Sequence, residues 1–412
     1  MLDIKFIRDN LDLVKKNNET RNVKVNFDDF TRLDEERLGL ARQIDQLRAE
    51  RNAGSKNKPS EEEIKRIRAI GEEIGKLETE LKSKEEELNK ILFMIPNINH
   101  ETTPVAQDES GNKVEKTIGE KPNFSFEPQE HFNIKNVKDL IDLERGAKAS
   151  GSRFYYLKGK LALLERALFQ FTLDTVVSKG FELVLPPILV QEPAMFGTGF
   201  FPAEKSEIYT VNPGEDNLYL VGTSEVPMIY MYSGEVLEVK DLPKKYVAIT
   251  PCFRREAGSY GKDTKGIFRV HQFYKVEMII FSTPEQSWQL HEEILAHEES
   301  ILQALGLPYQ VLNICSGDLG FPAAKKYDCE GWFPGQGRYR ELTSTSNTTD
   351  YQARRSNIKY KNSEGKREFI HTLNGTAVTD RCLLAILENY QQEDGSVMVP
   401  EVLRKYIGFD KI

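Results

Sequence analysis

At about 150 residues per domain, a chain of 412 residues predicts two or three domains, and its 39% hydrophobic content excludes wholesale disorder. The formal net charge of −8 excludes a uniformly basic nucleic-acid surface, although basic residues cluster locally at Lys262 to Arg269 and Arg354 to Arg367. The opening MLDIKFIRDN lacks an apolar signal region, no run approaches the roughly 18 apolar residues of a spanning helix, and Cys252, Cys315, Cys329 and Cys382 form no C-x-x-C pair; a soluble cytoplasmic protein without a zinc site or disulfide framework is expected.

The first predicted elements are two long helices between about Phe30 and Leu92. This stretch is dense in Glu, Lys, Arg and Leu, with Pro59 as its one proline. Leu33, Leu40, Ile44 and Leu47 recur on one helix face, and after a break at 52–60 the stripe resumes as Ile64, Ile67, Ile74, Leu77, Leu81 and Leu88. Such alternating spacings of three and four describe a coiled-coil seam. Ser60 followed by Glu61, Glu62 and Glu63 supplies a capping hydroxyl and first-turn acids for the second helix. The pattern predicts an antiparallel hairpin, and on pattern alone a dimerisation coiled coil and a projecting arm that grips a partner fit equally well.

Pro96 to Pro128 is rich in Pro, Asn, Gly and charge and reads as a linker. Beyond it, the strand-like runs LVLPPILV, YVAIT and FYKVEMIIF alternate with helical segments, among them Leu161–Lys179 and Gln286–Leu305. The order predicts an α+β domain with a mostly antiparallel sheet flanked by helices. No internal repeat is present.

Within that domain, Phe253-Arg254-Arg255-Glu256 leads into a loop at 257–266 with three glycines and two lysines, and then into a strand from Ile267 to Glu277. Alternation would set Arg269, His271 and Phe273 on one face. Arginines at both ends of a hairpin offer donors to phosphate oxygens, and an aromatic beside them can stack on a base. An isolated Arg-x-Glu is far more often a surface ion pair. Here the length of the pattern decides.

From Thr250 to Phe281 the chain resembles the second signature motif of class II aminoacyl-tRNA synthetases. Gly180 to Pro187 is similar to the first motif, which in that family builds a dimer interface. Asn374 to Arg381, before a helix at Cys382–Tyr390, resembles the third motif, whose arginine packs on adenine. Arg340 to Arg355 is similar to the seryl branch's E-x-S-S-x-S-N-x-x-D-F-Q-A-R-R string, and Thr223-Ser224-Glu225 to its Thr-x-Glu loop. Two departures stand out: the third motif is short, with Ala377, Val378 and Asp380 in the stretch, and Thr343 and Thr345 replace residues that are often Ser and Cys.

The resemblance to the seryl-tRNA synthetase family covers the whole chain. It implies ATP-dependent activation of serine to an adenylate, followed by transfer to the 3′ end of tRNA(Ser), and leaves open whether tRNA(Sec) is charged as well. It implies catalytic roles for Arg254, Arg269 and Arg381, with Arg254 on the α-phosphate and Arg269 on the outer phosphates. The nucleotide would meet Glu256, Val270, Phe273, Glu341, Leu342, Thr343 and Ser344 as well as Arg254 and Arg381. Serine would meet Thr223, Ser224, Glu225, Glu277 and Thr376. Glu341 and Ser344 offer the oxygen ligands that Mg²⁺ prefers beside a triphosphate. The implied plan is a tRNA-binding domain at 1–100 carrying the arm, a linker at 101–130 and a catalytic domain at 131–412, assembled as a homodimer. A ligase that loads a carrier protein would have little use for the arm, and a catalytically dead binding protein little use for Arg254, Glu256, Glu341 and Arg381.

Overall fold

The computed structural model describes residues 1–54, 60–257, 261, 263 and 265–412. Most of the expected turn at 52–60, and residues 258–260, 262 and 264 of the expected loop at 257–266, lie outside the described residues. The chain divides into two compact units, Leu2–Pro96 and Asn97–Ile412.

In the first unit, two short helices at Ile4–Asp9 and Leu11–Thr20 precede α1 (Phe27–Gly54) and α2 (Glu61–Leu92). The Ser60 Oγ accepts from the Glu63 amide at 3.3 Å, and the Ser60 amide donates to Glu63 Oε2 at 2.7 Å, a complete capping box at the start of α2. Ile44, Ile70 and Ile74 are buried between the two helices, with Leu47, Leu77 and Leu81 packed against them. The seam departs from its predicted course near the tip. Ile70, absent from the predicted stripe, is buried, whereas Ile64 stays 52% exposed where the facing helix ends at Gly54. Cross-helix ion pairs flank the seam: Arg48 with Glu78 at 2.7 Å, Lys84 with Glu36 at 2.8 Å, and Arg66 with Glu50.

The second unit is built on an eight-stranded sheet: β1 (Lys113–Ile118), β2 (Glu182–Val184), β3 (Lys244–Phe253), β4 (Gln272–Ser282), β5 (Tyr309–Asn313), β6 (Lys325–Phe333), β7 (Arg338–Asn347) and β8 (His371–Thr379). Their spatial order is β1-β5-β6-β7-β8-β4-β3-β2, antiparallel throughout except that β2 runs parallel to β3. The linker expected at 101–130 is therefore not only a connection, because β1 pairs along β5. Its polar composition hid it: β1 is an edge strand and stays almost wholly exposed. The large apolar core lies between the sheet and the helices α3 (Gly159–Ser178), α5 (Pro284–Ala304) and α7 (Asp380–Asn389); α4 (Glu225–Tyr230) and α6 (Tyr351–Ser356) lie between them in sequence. Among the described residues no helix is long and apolar enough to cross a membrane. All four cysteines are free and buried.

Candidate active site

The hairpin β3–β4 brings the first set of charged groups together. Phe273 pairs with Cys252 and Glu277 with Ala248, so Arg254 leaves the end of β3 beside the start of β4. The strand does not begin at Ile267 as expected. Residues 265–270 turn, and β4 starts only at Gln272. The alternation that would have aligned His271 with Arg269 and Phe273 is broken there. His271 instead donates through Nδ1 to the Arg254 carbonyl at 2.9 Å and receives no place in the cavity wall, while Arg269 and Phe273 both line it.

Arg254 rests its guanidinium 5.3 Å from the Phe273 ring centre and donates through Nε to the Gly222 carbonyl at 3.3 Å. Arg269 donates to Glu256 Oε2 at 2.6 Å and lies 3.6 Å from Asp263. Glu256 has a left-handed backbone (φ 53°), an uncommon conformation for a side-chain-bearing residue, and the Arg269 bond holds its carboxylate over the cavity. Arg381, the second residue of α7, donates to Glu341 Oε2 at 2.9 Å and lies 4.7 Å from the Phe268 ring.

A bulge explains how Glu341 and Ser344 come to share a face although strand alternation alone would set them on opposite ones. On β7, Thr343 pairs with Cys329 but Glu341 with Glu330, so Leu342 is an extra residue in the ladder. Glu341 and Ser344 both face the cavity. The hydroxyls of Thr343 and Thr345 turn away: Thr343 donates to Glu298 Oε2 at 2.8 Å on α5, and Thr345 to the Asn374 carbonyl at 2.9 Å. The two threonine replacements thus lie in the support of the strand.

All nine residues expected around the nucleotide, from Arg254 to Arg381, border one cavity. It adjoins a larger cleft of about 480 Å³ that shares Arg254, Glu256, Glu341, Ser344 and Arg381 and is walled further by Thr223, Glu225 and Glu277. Thr376 borders the first cavity and donates to Glu277 Oε2 at 2.9 Å. Ser224 borders neither; it is fully buried, and its hydroxyl has no partner among the described residues.

The sequence reasoning passed over several groups. Lys275 borders both cavities and is paired to Glu277 at 2.6 Å, and its position two residues after Phe273 on β4 was the available signal. Lys326 borders the cleft and is held by Asp328 at 2.9 Å, raising its affinity for its proton. Gln352, hidden inside the seryl-type string, bonds to Glu225.

These neighbours set the electrostatics. Burial opposes ionisation of Glu341, but Arg381, Lys326 and Arg254 outweigh it and hold its carboxyl down at about 2. Glu225 goes the other way. Burial and the adjacent Glu277 lift it to about 7, against the opposing pull of Gln352 and Lys275.

An antiparallel sheet that gathers paired arginines, an aromatic and acidic residues around one two-part cleft is the architecture of a class II aminoacyl-tRNA synthetase core. Residues 209–390 match the family described as tRNA synthetase class II core domain (G, H, P, S and T), and residues 1–99 match the seryl-tRNA synthetase N-terminal domain. Serine–tRNA ligase of Thermodesulfovibrio yellowstonii is 46% identical, with both chains covered in full. The crystal structure of seryl-tRNA synthetase from Pyrococcus horikoshii complexed with ATP superposes with a TM-score of 0.92 at 41% identity, covering 100% of this chain and 99% of that one. Cytoplasmic serine–tRNA ligase from Naegleria fowleri in complex with AMP gives 0.89 at 35% identity, covering 100% and 98%. The chain belongs to the seryl-tRNA synthetase family.

Proposed function

We propose that the cleft joins serine to ATP and passes the activated serine to tRNA(Ser). The observation that carries this reading is the continuity of the two cavities. The arginine-lined nucleotide side and the Glu225–Glu277 side share Arg254, where the two anionic reactants must meet. In the first step a serine carboxylate oxygen bonds to the α-phosphorus, the bond to the β-phosphate bridging oxygen breaks, and pyrophosphate leaves. In the second, a 3′-terminal ribose hydroxyl attacks the acyl carbon and AMP leaves. Neither step needs a side-chain nucleophile; charge neutralisation and fixed geometry suffice.

Arg254 would contact the α-phosphate and the serine carboxylate, and Arg269 the outer phosphates. Phe273 and Arg381 would hold the adenine between them, with Val270 and Leu342 beside it, Thr343 meeting the nucleotide through its backbone, and Glu256 accepting from the adenine amino group. Glu225, with Thr223, would take the serine ammonium, and Glu277 and Thr376 its hydroxyl. Ser224 would act through the Thr-x-Glu backbone only, given its burial. A site with acceptors for the hydroxyl penalises alanine by leaving buried polar groups unpaired.

The donor set suits Mg²⁺. Glu341 is ionised, it shares a face with Ser344, and no cluster of three or more His, Cys, Asp or Glu among the described residues could hold a metal alone. Two protein oxygens leave the remaining positions to phosphates and water, the usual arrangement for this ion. When bound there, Mg²⁺ supplies positive charge to the phosphate oxygens.

The first unit, with α1 and α2, would bind tRNA(Ser) along its long variable arm, and the reading extends to a homodimer. Support for the dimer comes from Leu183, Leu185, Leu163 and Val177 on β2, the following turn and α3, all exposed, with Leu185 at 76%. Serine-dependent exchange of pyrophosphate into ATP tests activation, and charging of purified tRNA(Ser) tests transfer. Exchange without charging would leave an adenylate-forming enzyme with another acceptor; absence of both would refute the proposal.

A further inference from the structure

Gln352 is fully buried on α6, borders neither cavity, and commits both N–H groups and the oxygen of its amide to hydrogen bonds. Its Nε2 donates to Glu225 Oε1 at 2.6 Å and to the Thr198 carbonyl at 3.0 Å. Its Oε1 accepts from the Thr372 hydroxyl at 2.7 Å and lies 3.2 Å from the Thr348 hydroxyl. An amide has two N–H groups, so no donor is left over. The amide's orientation is also chemically decided. Turned over, it would press its oxygen against the Thr198 carbonyl, which cannot donate, and its N–H toward Glu225 would be lost. The helix that carries it is itself tied down, because Arg355 donates to the carbonyls of Phe196 and Phe201 at 3.2 and 3.0 Å.

We propose that Gln352 is the positioning residue that aims Glu225 at the serine ammonium. The inference rests on the reading of Glu225 as the ammonium acceptor. With Oε1 captured by Gln352, the other carboxylate oxygen is the one presented to the cleft that Glu225 lines. The Thr198 and Thr372 contacts stop the amide from following Glu225, so the carboxylate answers to a fixed anchor. An N–H donor also favours the charged form of a carboxylate that stands beside Glu277 and Glu204 and is attracted by Lys275. Gln352 therefore fixes both the direction of the acceptor and its charge.

The test uses the full-length enzyme with Gln352→Met, which keeps side-chain length and removes the donor. Pyrophosphate exchange is measured from pH 6 to 9, with separate KM values for serine and ATP. Losing a hydrogen bond to a charged group predicts a serine KM at least about tenfold higher, with kcat and the ATP KM within about threefold. The acid limb of the serine KM profile should also move to higher pH, because Glu225 loses a donor to its charged form. General loosening of the fold would change ATP KM and kcat together and leave that limb in place, and this outcome overturns the proposal. Thr372→Val, which removes only the hydroxyl on Oε1, should move serine KM in the same direction by a smaller factor, and it decides the matter if the Gln352 variant fails to fold. Glu225→Gln separates the two levels of the argument. An unchanged serine KM in that variant refutes the ammonium assignment and this inference with it. A raised KM there, with wild-type serine KM and pH profile in Gln352→Met, overturns the positioning role alone.

Discussion

The hairpin of α1 and α2 and the β3–β4–β7–β8 face treat charge in opposite ways. Along the hairpin, 14 Lys and Arg from Arg32 to Leu92 stand against 15 Asp and Glu, and the ion pairs between the helices are half exposed, as in Arg48 with Glu78. Pairs of that kind contribute about 0–1 kcal/mol each. What holds the helices together is a thin seam of Ile44, Ile70 and Ile74. On the sheet face the charges are inside. Lys275 and Glu277 form a pair that is nearly inaccessible, Glu225 is buried beside them, and Glu298 lies fully buried behind β7 with its carboxyl pushed well up by burial. Buried pairs are poor contributors to stability. The sheet face concentrates them, whereas the hairpin keeps its charge at the surface except at its base, where Asp34 is buried between Arg8 and Arg37.

The sharpest way to break that contrast is to remove the central cation of the sheet face. Arg254→Ala should lower serine-dependent pyrophosphate exchange by about 10³-fold, because a developing anionic centre loses its main donor. Normal thermal unfolding should accompany the loss. A variant that unfolds normally and exchanges within tenfold of wild type would show that Arg254 is not the central group.

Next in size is the hairpin. Leu33 and Leu88 at its base are buried, and Arg8 and Arg37 hold Asp34 at 2.6 and 2.8 Å, so an excision must spare these groups. Removing residues 41–80 and closing the gap with a short Gly/Ser turn should leave pyrophosphate exchange unchanged. Charging of tRNA(Ser) should fall about a hundredfold, the effect of losing about 2.7 kcal/mol of binding. Charging at the full rate would make the hairpin a structural coiled coil and dissolve the division of labour.

How much of this could be read from the sequence follows the same division. The hairpin was legible because its only requirement is a period, and a period survives in the chain; even there Ile64 and Ile70 traded places where the facing helix ran out. On the sheet face, Arg254, Glu341 and Arg381 were legible through motif resemblance. Three things were not. Strand β4 starts late, which removed His271 from the face that alternation gave it. The extra residue at Leu342 reversed the phase of β7, placing Glu341 with Ser344 and sending the Thr343 hydroxyl to Glu298. And β1 has no buried positions to betray it within a stretch of linker-like composition. Each of these three is a break in regular geometry, and pattern reading assumes that geometry is unbroken.

A third measurement tests the buried charge itself. Glu225 sits at about 7, raised by burial and by Glu277, with Glu204 adding to the rise and with Gln352 and Lys275 opposing it. On the proposed assignment the serine ammonium pairs with the ionised carboxylate, so the protonated form must lose its proton before serine binds. Serine affinity should therefore be full above pH 8 and weaken as pH falls through 7, approaching about tenfold per unit below it. The KM for ATP, which on this assignment does not involve Glu225, should not share that change of about tenfold per unit. A serine KM independent of pH between 6 and 8 would place the ammonium elsewhere.

The smallest expected effect belongs to the hairpin's cap. Ser60 and Glu63 satisfy each other's backbone amides at the start of α2, and no side chain of the buried seam lies nearer the tip than Ile70. Ser60→Ala removes the hydroxyl that accepts from the Glu63 amide, at a cost of about 1 kcal/mol to the first turn of α2. Because the seam between that turn and Ile70 is thin, the loss has nothing through which to spread. Amide hydrogen exchange should therefore quicken by about fivefold within residues 61–66, while protection around Ile74 and beyond stays unchanged. Serine KM, ATP KM and exchange rate should match the wild type. If the substitution instead loosened amides along β4 or β7, or raised serine KM, the two units would be energetically coupled, and the contrast between an arm whose charge beyond Asp34 lies at the surface and a face whose charge is buried would describe the sequence without describing the mechanics.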